Sequence, residues 1–181
     1  MLSLILKAQD YPPNICKLLG EVVFKSSYDN KTNTPLDTVA VALPQTTGID
    51  HIRLRILYGY ILVNTKGHEA AALYFQETAA LAARQQMPSQ IQAYINIICG
   101  DLLTSLNDNV LASLYCSQAE NLAEPSDFNY WIARITNNWL NPNPNTTIII
   151  ERALDSLISK TAFPVDEMAK LLHFHQDNVP L

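Results

Sequence analysis

The chain has 181 residues, 48% of them hydrophobic and 16% charged, and a formal net charge of −5. This composition is typical of a folded domain with a sizeable core, and it excludes an intrinsically disordered chain. The twelve basic residues stand singly between Lys7 and Lys170, so the sequence predicts no direct binding to nucleic acid.

The apolar segments favour neither export nor membrane insertion. Residues 1–6 are apolar but too few for a signal peptide, and they lack its basic start and cleavage site. The longest apolar run, residues 95–103, is interrupted by Asn96, Gly100 and Asp101, so no membrane span is expected. The three cysteines form an odd set without CxxC spacing, which favours free thiols in a reducing compartment.

Two helices are predicted before the repeats, at residues 13–24 and 36–43. The polar stretch between them, residues 26–34, has neither the helical nor the strand period. We therefore expect residues 1–45 to form a looser helical hairpin that caps the array following it.

From about residue 50 the sequence repeats itself at an offset of 41 residues. The matching pairs are Gly59 and Gly100, Leu62 and Leu103, Ala71 and Ala112, Leu73 and Leu114, Tyr74 and Tyr115, Leu81 and Leu122, and Ala82 and Ala123. So many matches at one register indicate an internal repeat. The same offset takes Ala112 to Ala153, which lies in a further amphipathic segment, so a third copy is expected.

Each copy is predicted to form two antiparallel helices, because apolar residues recur at helical spacing on both sides of a central break. The four helices of the first two copies are expected at residues 52–64, 69–84, 91–106 and 109–123. Gly59 would pack on Ala71, and Gly100 on Ala112, since closely crossing helices need small residues. Prolines 88 and 125 would stop the second helices.

These elements predict an all-α, tetratricopeptide-like solenoid of helical hairpins, a right-handed α-α superhelix, forming a single domain over residues 1–181. The hairpins are expected at residues 50–88, 91–125 and 127–160, and a C-terminal helix at residues 164–175. The last hairpin lacks a polar cap, which is the pattern of a fragment of a longer solenoid.

The sequence offers no pattern typical of an enzyme, a cofactor site or a metal site. Its five glycines are isolated, so no phosphate-binding loop is present. His173 and His175 are two residues apart and would point to different sides of a helix. Cys99 and Cys116, considered with His68 as a nucleophile site, occupy expected core positions, where thiols are inert. We expect a non-catalytic protein without a small-molecule substrate.

The candidate partner-binding surface is the face lined by the first helices of consecutive hairpins. Its residues are Arg53, Ile56 and Tyr60 from one copy and Tyr94, Ile97 and Asp101 from the next. Apolar and aromatic groups mixed with one charge of each sign suit an extended peptide, whose side chains need burial and whose backbone needs polar partners. The alternative for Ile56 and Ile97 is that they only fill the gap between hairpins.

The N-terminal part of the chain carries a further ordered set of residues. It comprises an apolar helix at residues 2–6, Pro12-Pro13-Asn14-Ile15-Cys16, Leu18-Leu19 and Val22-Val23-Phe24, then Ile52-Arg53, Gly59, Leu62, Thr65, Glu69-Ala70, Glu77, Leu81 and Pro88. This order resembles the start of the Mau2-type tetratricopeptide subunit of the cohesin loader, over residues 1–125. The most specific element is Pro-Pro-x-Ile followed by Val-Phe at a fixed distance.

The resemblance implies a superhelix that wraps the extended N-terminal segment of the large HEAT-repeat loader subunit in the nucleus. Such a heterodimer supports cohesin loading onto chromatin, and through it sister chromatid cohesion and chromosome partition in mitosis. Members of this family are several times longer, which implies that the chain corresponds to an N-terminal portion. The alternative is a bacterial tetratricopeptide regulator or effector, located in the bacterial cytoplasm, that binds a peptide or protein partner.

Overall fold

The computed structural model describes residues 34–160, and this part of the chain is helical and contains no strand. Its helices are α1 Thr34–Ala42, α2 Gly48–Lys66, α3 His68–Arg84, α4 Ser89–Ser105, α5 Asn109–Leu122, α6 Phe128–Leu140 and α7 Thr146–Lys160. A 3-10 turn, Leu43–Gln45, joins α1 to α2. The all-helical prediction is confirmed for these residues. The helices expected at residues 13–24 and 164–175 lie outside them.

Helices that are consecutive in sequence pack against one another along the whole described chain. Between α2 and α3, Tyr58 contacts Tyr74, and Arg55 donates a hydrogen bond to Thr78. The residue number falls on α2 as it rises on α3, which shows that the two helices run antiparallel. The same reversal joins α5 to α6, where Ser113 pairs with Asn137 and Glu120 with Arg134.

The core lies between the helices of each hairpin and between neighbouring hairpins. Its largest fully buried side chains are Phe75, Ile52, Leu54, Ile95 and Val39. A second cluster consists of Ala93, Ala119 and Ala133, from α4, α5 and α6, together with Ala123 directly after α5. Alanine allows α4, α5 and α6 to approach closely, because it has no side chain beyond Cβ to separate their backbones.

The two glycines of the repeat lie at close helix contacts, but their nearest neighbours differ from those expected. A Cβ on Gly100 would lie 2.6 Å from Cys116 Sγ and 3.4 Å from the Ala112 carbonyl oxygen. A Cβ on Gly59 would lie 2.5 Å from the Phe75 ring, one helical turn beyond the expected Ala71. Gly59 therefore makes room for an aromatic ring rather than for a second small residue.

The third copy of the repeat retains the buried alanine that the offset identified. Ala71, Ala112 and Ala153 lie on α3, α5 and α7, with exposed fractions of 0%, 0% and 1%. Because these three alanines are 41 residues apart and all buried, α3, α5 and α7 each bury the same position of the repeat. None of the helices between residues 34 and 160 has both the length and the apolarity needed to cross a bilayer.

Candidate functional site

The first helices of the hairpins lie side by side. Helices α4 and α6 contact each other directly, and Tyr60 Oη on α2 lies 2.8 Å from Tyr94 Oη on α4. The second helices α3, α5 and α7 make no contact of similar extent with one another within residues 34–160. Helix α4 therefore packs on α6, and the tyrosine pair joins α2 to α4; we call the side formed by α2, α4 and α6 the first-helix face.

Tyr60 and Tyr94 are half-buried residues that join two hairpins through their hydroxyl groups. The Tyr60 ring also packs edge-on against Phe75, with the ring centroids 5.7 Å apart and the planes at 72°. Burial, followed by the neighbouring Tyr94, raises the pKa of Tyr60 far above its ordinary value. The phenol therefore stays protonated and acts as a neutral hydrogen-bonding group.

The two charged residues of the expected site lie nearer to solvent. Arg53 Nη1 lies 3.5 Å from Asp50 Oδ1 within the same helix, and both side chains are partly exposed. Asp101 follows Gly100 on α4 and is exposed. Packing around its carboxyl group raises the pKa of Asp101, and the charge of His68 lowers it in part.

Ile56 and Ile97 occupy more internal positions than the other residues of the expected site. Ile56 is 4% exposed and belongs to the main core. Ile97 is half-buried and packs against the alanine cluster of α4, α5 and α6. These positions favour the alternative that both residues fill gaps between hairpins. Of the six expected site residues, Arg53, Asp101 and the two tyrosines are the ones that neither fill the main core nor pack on the alanine cluster.

Sequence reasoning missed a polar cluster between α2 and α3. Arg55 Nε donates a 3.0 Å hydrogen bond to Thr78 Oγ1, and its guanidinium lies 4.3 Å from the centroid of the Tyr74 ring. Thr78 is fully buried and donates in turn to the Tyr74 carbonyl at 2.8 Å. The partners are 23 residues apart, so no local pattern reveals them. A threonine on the apolar side of α3 is the only signal of this contact in the sequence.

The two described cysteines are free and buried, as predicted. Burial raises the pKa of the Cys99 thiol to about 12, with a further contribution from Cys116, and burial likewise raises the pKa of Cys116 to about 12. Such thiols are protonated and unreactive at neutral pH. Between residues 34 and 160 no three His, Cys, Asp or Glu side chains are placed to share a metal ion. His173 and His175 lie outside this range.

Comparison of the chain with protein-family models, curated proteins and solved structures finds no match.

Proposed function

We propose that this protein is a non-catalytic scaffold whose helical hairpins stack into a tetratricopeptide-like solenoid that holds an extended segment of another polypeptide. The observation that carries the proposal is the packing of the helices. Consecutive hairpins follow one another, and their first helices α2, α4 and α6 share a face. In a curved stack the elements on the inner side lie closer together than those on the outer side, and the contact of α4 with α6 supports a concave first-helix face.

The chemistry of this face suits a peptide. Tyr60 and Tyr94 provide rigid aromatic surface, which binds apolar side chains at a low entropic cost. Arg53 and Asp101 provide one charge of each sign at the edge of that surface. An extended peptide needs both kinds of group, because its side chains must be buried while its backbone must keep polar partners.

The identity of the partner follows from the resemblance to the Mau2-type subunit. On that basis the bound segment is the extended N-terminal part of the large HEAT-repeat subunit of the cohesin loader. The complex would act in the nucleus, where it supports cohesin loading onto chromatin. The helical hairpins of residues 34–160 are the part of the chain on which such a segment would lie.

The proposal is tested by titrating the full chain with a synthetic peptide of that N-terminal segment in a calorimeter. Wild type should bind it. The Tyr60→Ala, Tyr94→Ala double variant should bind at least about tenfold more weakly, because truncated aromatic anchors often cost about 2 kcal/mol each. The matched control is Tyr60→Phe, Tyr94→Phe, which keeps both rings and loses only the hydroxyl pair, and it should bind nearly as well as wild type.

Truncation of Tyr60 also removes a ring that contacts Phe75 in the core. A third variant therefore alters the site without altering the core. Asp101→Lys alters an exposed residue and should leave the circular dichroism spectrum and the melting temperature unchanged. It should still change the affinity for the peptide. Absence of binding by wild type would reject the loader segment as partner, whereas full affinity in all variants would reject the first-helix face.

A further inference from the structure

Helix α5 leaves one side uncovered by the rest of the described chain. Ala112, Cys116 and Ala119 are buried in the core, and Ser113 donates a hydrogen bond to Asn137 of α6 at 2.9 Å. The residues on the opposite side of α5 are Val110, Leu114, Ser117, Gln118 and Asn121. We call this side the outer face of α5, and none of its residues carries a charge.

Two large apolar side chains stand on this outer face. Val110 is 86% exposed and Leu114 is 53% exposed. Residues four apart on a helix lie one above the other, so the two side chains form a continuous apolar surface in the first half of α5. Leu106, in the turn before the helix, adds a third partly exposed apolar group at 39%. Clustered exposure of this kind marks interaction sites more often than single exposed residues do.

The charged residues in this part of the sequence are all acidic. Between Arg84 and Arg134 the chain has no Lys, Arg or His, and it carries the carboxylates Asp101, Asp108, Glu120, Glu124 and Asp127. Glu120 pairs with Arg134 at 3.5 Å. Asp108 and Glu124 are exposed, one directly before α5 and the other just after it. Helix α5 has 14 residues, so at 1.5 Å per residue about 21 Å of helix separates them.

We propose that the outer face of α5 is a docking site for a basic amphipathic helix of a partner protein. The apolar side of that helix would cover Val110 and Leu114, and its Lys or Arg side chains would reach Asp108 and Glu124. Charge complementarity selects this occupant, because a second copy of the chain or an anionic membrane would bring negative charge against negative charge. The site lies on a second helix, so the inference does not depend on the first-helix face.

The test uses the full chain and a labelled synthetic peptide of about 18 Leu and Lys residues with an amphipathic helical pattern, long enough to span both carboxylates. Fluorescence anisotropy should show binding that weakens as salt is raised. The Val110→Ser, Leu114→Ser variant should bind at least about tenfold more weakly. A scrambled peptide of the same composition and a Leu/Glu counterpart should not bind.

Leu73→Ser is the matched control variant. Leu73 occupies the equivalent position on α3 and is 62% exposed, but it lies between the carboxylates of Glu69 and Glu77 instead of beside a second apolar residue. Its replacement should leave the affinity unchanged. Equal binding of the amphipathic and scrambled peptides, or of wild type and the double serine variant, would overturn the proposal. So would a dimer in sedimentation that the double serine variant abolishes, since the occupant would then be a second copy.

Discussion

At the residue scale, the glycines of the repeat are required by the side chains that face them. Gly100 is buried, and Cys116 opposite it is 1% exposed, so an added methyl group would have to displace a buried sulfur. The repeat offset identified this glycine from sequence, because small residues recur where helices cross. It did not identify the thiol or the Phe75 ring as the nearest neighbours, since spacing along one helix does not specify which residue of the other fills the contact.

Gly100→Ala should destabilise the protein by about 1–3 kcal/mol, because the new Cβ would lie 2.6 Å from Cys116 Sγ and force the hairpin apart. Urea denaturation followed by circular dichroism measures the effect. Adding Cys116→Ala should restore much of the loss, since it removes the sulfur that the methyl group meets. If the double variant is as unstable as the sum of the two single variants, the contact between these residues does not explain the glycine.

At the element scale, the ends of the helices depend on two residues that sequence analysis did not identify. Gln86 and Asn107 adopt positive φ angles of 51° and 62° after α3 and α4. The next amide reaches back to close each helix, Met87 to Ala82 at 3.0 Å and Asp108 to Leu103 at 2.9 Å. Glycine usually occupies such positions, so neither closing residue was recognised in the sequence, although the apolar pattern predicted both helix ends to within one residue. Pro88 was expected to stop α3, but α3 already ends at Arg84. Pro88 instead lies directly before the first residue of α4.

Gln86→Gly should stabilise the protein by up to about 1 kcal/mol, because glycine adopts a positive φ without the steric cost that glutamine bears. Gln85→Gly is the matched control, since Gln85 has a φ of −84° and gains nothing from glycine. Thermal melts of both variants measure the difference. A melting temperature that falls equally in both would show that Gln86 bears no backbone strain.

The boundaries of the four repeat helices were predicted to within two residues, except for the start of α2. The four repeat helices were expected at residues 52–64, 69–84, 91–106 and 109–123, and each corresponds to one observed helix. Helix α2 begins four residues earlier than predicted, at Gly48, because its first turn lacks the apolar period that marked the rest. Periodicity reports the buried side of a helix, whereas helix ends depend on caps and turns.

At the scale of the whole molecule, buried thiols and phenols should make the fold sensitive to alkali. The pKa of each of Cys99 and Cys116 rises from about 9 to about 12, and burial raises the pKa of Tyr74 from about 10 to about 12, which Arg55 partly offsets. The folded state therefore keeps protons that the unfolded state loses. The free energy of unfolding should be constant below about pH 9 and should fall between about pH 9 and pH 12.

Urea denaturation at increasing pH measures this dependence. The Cys99→Ala, Cys116→Ala variant should show a smaller loss over the same range, because only the phenols still contribute. A wild-type stability that does not change up to pH 11 would contradict the burial of these groups.

The candidate site was predictable only in part from the sequence. The pattern placed Tyr60 and Tyr94 on first helices, and the structure brings their hydroxyls together. The pattern could not show that Ile56 is buried while Arg53 and Tyr60 are only half-buried. Burial by a neighbouring hairpin depends on how the helices stack, not on spacing within one helix. The contact of Arg55 with Thr78 was missed for the same reason.

We propose that a partner segment lies along the first-helix face, and hydrogen–deuterium exchange of the full chain detects such a segment where it binds. Exchange is followed with and without a saturating concentration of the N-terminal segment of the HEAT-repeat loader subunit. We expect slower amide exchange in α2 and α4, and a smaller change in α3 and α5. Slower exchange confined to α3 and α5, or no change in any helix, would contradict it.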